Sequence, residues 1–142
     1  MKKVFFSCSI AGGRNHAHTY ADIVRYIKAT GVHVLSEIFA DKNLTAEGGT
    51  KHKLTDEEIR QWDLDWIKEA DAVVAEVTQP SLGVGYEIAK SEDLNKPTLA
   101  LFHTASGRRL SPMIAGNPHV QVFEYTDIPQ TEKVIAKFIS EL

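Results

Sequence analysis

With one cysteine, Cys8, and no CxxC pair, the chain has neither an internal disulfide framework nor a thiolate metal site. Six histidines are present, but His16 and His18 are two apart, His33, His52, His103 and His119 are scattered, and none shows His-x3-His spacing. No metal is therefore expected. No apolar run approaches the length of a membrane helix. The short run after Met1-Lys-Lys leads straight into Gly12-Gly13, too short for a signal peptide, so the expectation is a cytoplasmic protein without membrane contact. A net charge of −3 gives no cationic excess to draw in nucleic acid. Gly-Lys-Ser/Thr phosphate loops, GxGxxG dinucleotide loops and GxSxG nucleophile elbows are missing as well. Neither a repeat nor a linker breaks the chain, which reads as one domain over residues 1–142.

What remains is a soluble globular composition, 43% apolar and 25% charged. Lys3–Cys8, Val32–Ser36, Ala72–Val77, Thr98–His103 and Val120–Tyr125 read as strands rich in β-branched and aromatic residues. Between them, Tyr20, Ile23, Val24 and Ile27 repeat at helical spacing up to Gly31. Val134, Ile135, Phe138, Ile139 and Leu142 repeat likewise at the end. Thr55-Asp-Glu-Glu58 is a capping box that starts a helix, and Pro97 sits at a strand start. Alternating strands and helices predict an α/β fold: a doubly wound, mostly parallel five-stranded sheet with helices on both faces, Rossmann-like or flavodoxin-like. Ligands of such sheets sit beyond the strand C-termini. Residues 41–53, poor in apolar side chains and containing Gly48-Gly49, read as a loop of lid length or as a plain surface insertion.

Two Gly-bearing turns fall on that rim. The first is Ser9-Ile-Ala-Gly-Gly-Arg14; the second lies in Thr78-Gln-Pro-Ser-Leu-Gly-Val-Gly-Tyr-Glu87. Strand, glycine turn and helix start present backbone N–H groups and a positive dipole end to an anion. Gly83 and Gly85 are expected in the turn, where positive φ is permitted, with Ser81 adding a hydroxyl. Glu87 is expected in the first helical turn, where the dipole favours its ionised form by about 0.3–1 kcal/mol. Such a turn also serves as a plain connection, and the residues alone leave that open. Arg108 and Arg109 read as solvated, Cys8 as an inert core thiol, Glu76 as structural.

On the capped helix, Ile59, Trp62, Trp66, Ile67 and Ala70 mark one apolar arc, which reads as core. Asp63 falls inside it, while Asp65 and Glu69 point elsewhere. A carboxyl on a buried stripe is paired, protonated or catalytic, because an isolated buried charge is costly. Burial raises its pKa, as a general acid near neutral pH requires. Spacing alone leaves open that Asp63 lies at the arc's edge or meets a core donor. Two carboxyls beside a phosphate cradle suit N-glycosidic cleavage with a covalent sugar intermediate, for which the groups stand about 5–5.5 Å apart.

The block TQPSLGVGYE, with Ser9–Arg14 near the start, resembles the 2'-deoxynucleoside 5'-phosphate N-hydrolase family, which is related to the nucleoside 2-deoxyribosyltransferases. The likeness runs through nearly the whole chain. It implies Glu87 as nucleophile and Asp63, in Gln61-Trp-Asp-Leu-Asp-Trp66, as the acid/base. It implies Ser9, Ser81 and Gly83 as phosphate ligands beside Gly12, Gly13 and Arg14, and Ile10 and Ile59 at the base. Ser111, in Leu110-Ser-Pro-Met-Ile114, is similar to a serine given across a homodimer interface. No cofactor is implied. Departures are Phe5, where deoxyribonucleotide-specific members carry a tyrosine near the nucleophile and the sugar 2' position, Ala11 for an arginine, and Ile38 for a histidine. Phe5 is similar to the pattern of CMP hydrolases, so sugar choice and base preference do not carry over. Alternatives are thus a CMP-type ribonucleotide hydrolase, a deoxyribosyltransferase exchanging bases, and a nucleotide-binding module without turnover.

Overall fold

The computed structural model describes residues 1–10, 16–37 and 54–142. Its elements are β1 (Lys3–Ser7), α1 (Ala17–Ala29), β2 (His33–Leu35), α2 (Asp56–Glu69), β3 (Ala72–Glu76), α3 (Leu82–Asp93), β4 (Thr98–His103), α4 (Pro112–Ala115), β5 (Val120–Tyr125) and α5 (Gln130–Ser140). The strands form one sheet in the order β2-β1-β3-β4-β5, and every pairing is parallel. This is the doubly wound arrangement read from the strand–helix alternation. Its strand order reverses between β1 and β3, the place where a crevice opens at the strand C-termini. The residues read as a lid, 41–53, lie outside the described part, as do Ala11, Gly12, Gly13, Arg14 and Ile38.

Alternation along β1 divides the core. Val4, Phe6 and Cys8 join α1 and α5, with Tyr20, Ile23, Ile27, Ile135 and Phe138. Phe5 turns to the other face and packs with Leu35, Ile67, Ala70 and Val73. Beside that second cluster, Ala75, Val77 and Ala100 hold Val84 and Ile88 of α3. Helices α2 and α3 therefore share one face of the sheet, above the β1/β3 junction.

Local chemistry sets where these helices start. Thr55 Oγ1 accepts from Glu58 N at 3.1 Å and Glu58 Oε1 accepts from Thr55 N at 3.3 Å, the reciprocal cap that fixes the phase of α2. Ser81 caps α3 by accepting from Val84 N at 3.3 Å. The third helix thus begins at Leu82, earlier than the glycines suggest. Gly83 and Gly85 lie inside its first turns without positive φ, which among the described glycines occurs at Gly31 and Gly107. Gly31, at φ +89°, follows the C-cap of α1 as expected. Asn95, at φ +54°, turns the chain after α3.

Glu76 ends β3 with no exposed surface. It accepts from Tyr125 Oη across β4 and from Thr78 N at 2.6 Å, while Thr78 Oγ1 accepts from His103 N at 2.9 Å. The His103 ring stacks on Tyr125 with centroids 5.0 Å apart. Burial pushes the Glu76 carboxyl up, against the pull of these bonds, and burial likewise raises the Tyr125 phenol. The network ties the ends of β3, β4 and β5 and holds the chain that leads to Ser81, the structural role read for Glu76. Tyr125→Phe should destabilise the fold by about 1–3 kcal/mol, since it strips a donor from a buried carboxyl. Because that bond favours ionised Glu76, chemical denaturation should show a larger loss at pH 8 than at pH 5; an equal loss would assign the effect to packing.

Candidate active site

Strand β1 ends in Ser7, which shares a face with Phe5 by alternation and is 1% exposed. Its hydroxyl donates to Glu87 Oε1 at 2.8 Å, so α3 is fastened to the central strand at the sheet's C-terminal rim. Glu87 stands in the second turn of α3, and no acid occupies the first. Its ionisation is consequently not governed by the helix end. Burial first, then the charge of Asp63 and a hydrogen bond with its carboxyl, push Glu87 well above the usual carboxylate range, and only Ser7 works against them. The expectation of a carboxylate kept ionised by the helix dipole is corrected here: desolvation and a like charge at contact outweigh a dipole effect of about 0.3–1 kcal/mol.

Asp63 arrives from α2. It is half-buried, while its neighbours Asp65 and Glu69 are exposed, Asp65 taking a bond from Gln61 Nε2 at 2.9 Å and Glu69 pairing with Lys3. Burial raises the Asp63 carboxyl, and the hydrogen bond with Glu87 opposes the rise. Asp63 Oδ1 is buried with no hydrogen-bond partner among the described residues. The reading of Asp63 as a carboxyl inside the apolar arc holds, and its partner is the other acid rather than a core donor. Two carboxyls in contact and partly withdrawn from water cannot both ionise readily, so the pair titrates as a unit and retains a proton to higher pH than either acid would alone.

Around this pair the other expected residues fall into place unevenly. Ser9 is fully buried just beyond β1. Ile10 and Ile59, from different elements, both border the apolar cluster of α1 and α5, together with Trp66. Ser81 accepts the cap bond of α3, which leaves its own hydroxyl proton to donate. Among the described residues, a Cβ on Gly83 would meet only Ser81 Oγ, at 3.8 Å, so none of them demands glycine there. What a side chain would fill is the approach to the helix N-terminus, whose first N–H groups have no intrahelical acceptor. Ser111 caps α4 by accepting from Met113 N at 3.3 Å and is exposed. Phe5 is buried in apolar packing below the carboxyls, Cys8 is buried, and Arg108 and Arg109 are exposed. Trp62 departs from the core reading: it is 40% exposed, its ring 5.4 Å from that of Trp66. Gly12, Gly13 and Arg14 lie outside the described residues.

Ser7 is the residue that sequence reasoning missed. The available signal was a polar side chain closing an otherwise apolar strand on the face where the two helices pack.

A family model described as nucleoside 2-deoxyribosyltransferase matches residues 4–125. The chain belongs to the nucleoside 2-deoxyribosyltransferase family. Within its reach are proteins named 5-hydroxymethyl-dUMP N-hydrolase. That of Tetraodon nigroviridis is 42% identical over 142 residues, covering 97% of each chain. That of Rattus norvegicus is 46% identical over 132 residues, covering 87% of this chain and 77% of the relative. The resemblance to nucleotide N-hydrolases drawn from TQPSLGVGYE is thus borne out. Among solved structures, the solution structure of BlsM overlays with a TM-score of 0.76 at 22% identity, covering 99% of this chain and 90% of BlsM, and supports the fold. Among the described residues, no helix is long and apolar enough to cross a membrane.

The carboxyl pair carries a stability cost with a definite sign. Raised pKa values mean that the folded chain holds protons more tightly than the unfolded one. Stability is therefore greatest below the unfolded carboxylate range, about pH 4, and falls as pH climbs through the folded values. Glu87→Gln, whose amide can donate to Asp63, should stabilise the fold at pH 8 by on the order of 1 kcal/mol and hardly at all at pH 4. Thermal melts at both pH values check this, and a variant that is less stable at pH 8 contradicts it.

Proposed function

We propose that this family member hydrolyses the N-glycosidic bond of 2'-deoxynucleoside 5'-monophosphates, releasing the free base and 2-deoxyribose 5-phosphate. The observation that carries the reading is the half-buried Asp63–Glu87 pair, because the reaction needs one proton and one negative charge on two adjacent carboxyls. A pair that keeps one proton between two half-buried acids supplies both. With substrate bound, the proton sits on Asp63 and the charge on Glu87.

Glu87 attacks the anomeric carbon. As that bond forms, the bond to the base nitrogen breaks, its electron pair stays with the base, and Asp63 delivers its proton to the departing base. Water then gives a proton to Asp63 and attacks the same carbon, releasing Glu87 as the carboxylate. Ser9, Ser81 and the N–H groups at Leu82 and Gly83 hold the 5'-phosphate, with Gly12, Gly13 and Arg14 completing the cradle. Binding energy at that remote group orients the sugar over the acids. Ile10 and Ile59 flank the base. The chemistry requires no cofactor.

The reading extends to a cytoplasmic homodimer of single-domain subunits, residues 1–142 each, in which Ser111 reaches the partner's phosphate. Supporting it, Leu82 is 96% exposed and Met113 80% exposed, and they lie at the starts of α3 and α4 beside Ser81 and Ser111.

The test is chromatographic detection of free base from 5-hydroxymethyl-dUMP, dGMP, dCMP and CMP, each beside its unphosphorylated nucleoside. The expected result is base release from deoxynucleoside monophosphates, little from the nucleosides, and a fall of about 10²–10⁴-fold or more in Asp63→Asn and Glu87→Gln. Preferred cleavage of CMP would assign the site to ribonucleotides, and base exchange on free deoxynucleosides to transfer. No release from any nucleotide, with Glu87→Ala binding nucleotide as wild type does, would leave a binding module.

A further inference from the structure

Glu87 is pressed toward its neutral form from two sides, by burial and by Asp63, yet attack on the sugar requires the carboxylate. Among the described residues, the one opposing contact is the 2.8 Å hydrogen bond from Ser7. Ser7 closes β1, which is paired on both sides, to β2 and to β3, with Ser7 itself in register with Ala75. The residue is 1% exposed. A hydroxyl fixed there can do two things. It stabilises negative charge on Glu87, which shifts the shared proton toward Asp63. By holding Oε1, it also fixes the orientation in which the carboxyl is presented to the anomeric carbon. Phe5, two residues earlier on the same face, has no hydroxyl and is committed to apolar packing.

We propose that Ser7 is the positioning residue for the nucleophile, setting both the orientation of Glu87 and the carboxyl on which the pair's proton rests. Ser7 acts through Glu87, with no contact to phosphate or base. The inference rests on the reading of Glu87 as nucleophile.

Three variants separate the possibilities, each measured for kcat and KM against pH on the best deoxynucleotide of the panel, with melting temperature as a check on folding. Ser7→Ala, which removes one oxygen and adds no bulk, should lower kcat by about 10- to 100-fold, the size expected of one hydrogen bond to a charged group. KM should change by less than about 2-fold, since phosphate binding contributes it separately. The acidic limb of the kcat/KM profile should move to higher pH, so the loss is greatest in acid and shrinks as pH rises. Ser7→Thr, which keeps the hydroxyl on a residue suited to strands, should recover most of the activity and return the limb toward its original position. A folded Ser7→Ala with unchanged kcat and an unmoved limb overturns the proposal, as does a loss confined to KM or an equal fall in the Ala and Thr variants. Glu87→Gln distinguishes the layers. If it is inactive while Ser7→Ala matches wild type, only the positioning role fails. If it is fully active, the nucleophile assignment fails first.

Discussion

Two acids brought together partly out of water make the central constraint of this structure. Each is costly alone, and their mutual repulsion raises the cost, so the pair keeps a proton that isolated carboxyls would lose. Everything nearby serves to hold them despite that cost. The capping box at Thr55 sets the rotation of α2 and so the face on which Asp63 appears. The Ser81 cap starts α3 in the phase that turns Glu87 inward. Ser7 fastens Glu87 to the middle of the sheet. Beneath them, Phe5, Ile67, Ala70 and Val73 supply the apolar floor that excludes water.

The fold places this pair where a doubly wound sheet opens. Reversal of strand order between β1 and β3 separates the chains leaving those two strands, with Ser9 just beyond β1 and Ser81 capping α3 after β3. A second buried acid, Glu76, lies on the same strand as this rim but has the opposite character. Its oxygens are taken by Tyr125 and Thr78, and it braces the sheet ends. Asp63 Oδ1 has no such partner among the described residues.

Much of the architecture was legible in the chain because strand and helix periods are local. The runs Thr98–His103 and Val120–Tyr125 match β4 and β5 in both bounds. Asp63 was legible because the capping box gave a fixed origin from which to count 100° steps. The start of α3 was less so: glycines suggested a turn, and the serine cap overrode them, moving Glu87 out of the first turn. Its ionisation could not be read from the helix end once a partner 24 positions earlier in the chain lay against it. Trp62 was misread because one side of the apolar arc of α2 meets solvent. Ser7 depended on an 80-residue separation that no local pattern encodes.

The shared proton can be observed directly. Carboxyl carbon NMR titration of Glu87, in the wild-type chain and in Asp63→Asn, reads its ionisation without substrate or turnover. The account predicts that Glu87 ionises well above the usual carboxylate range in the wild type and at clearly lower pH once Asp63 is neutral. A Glu87 that titrates like an exposed glutamate, indifferent to Asp63, would contradict it.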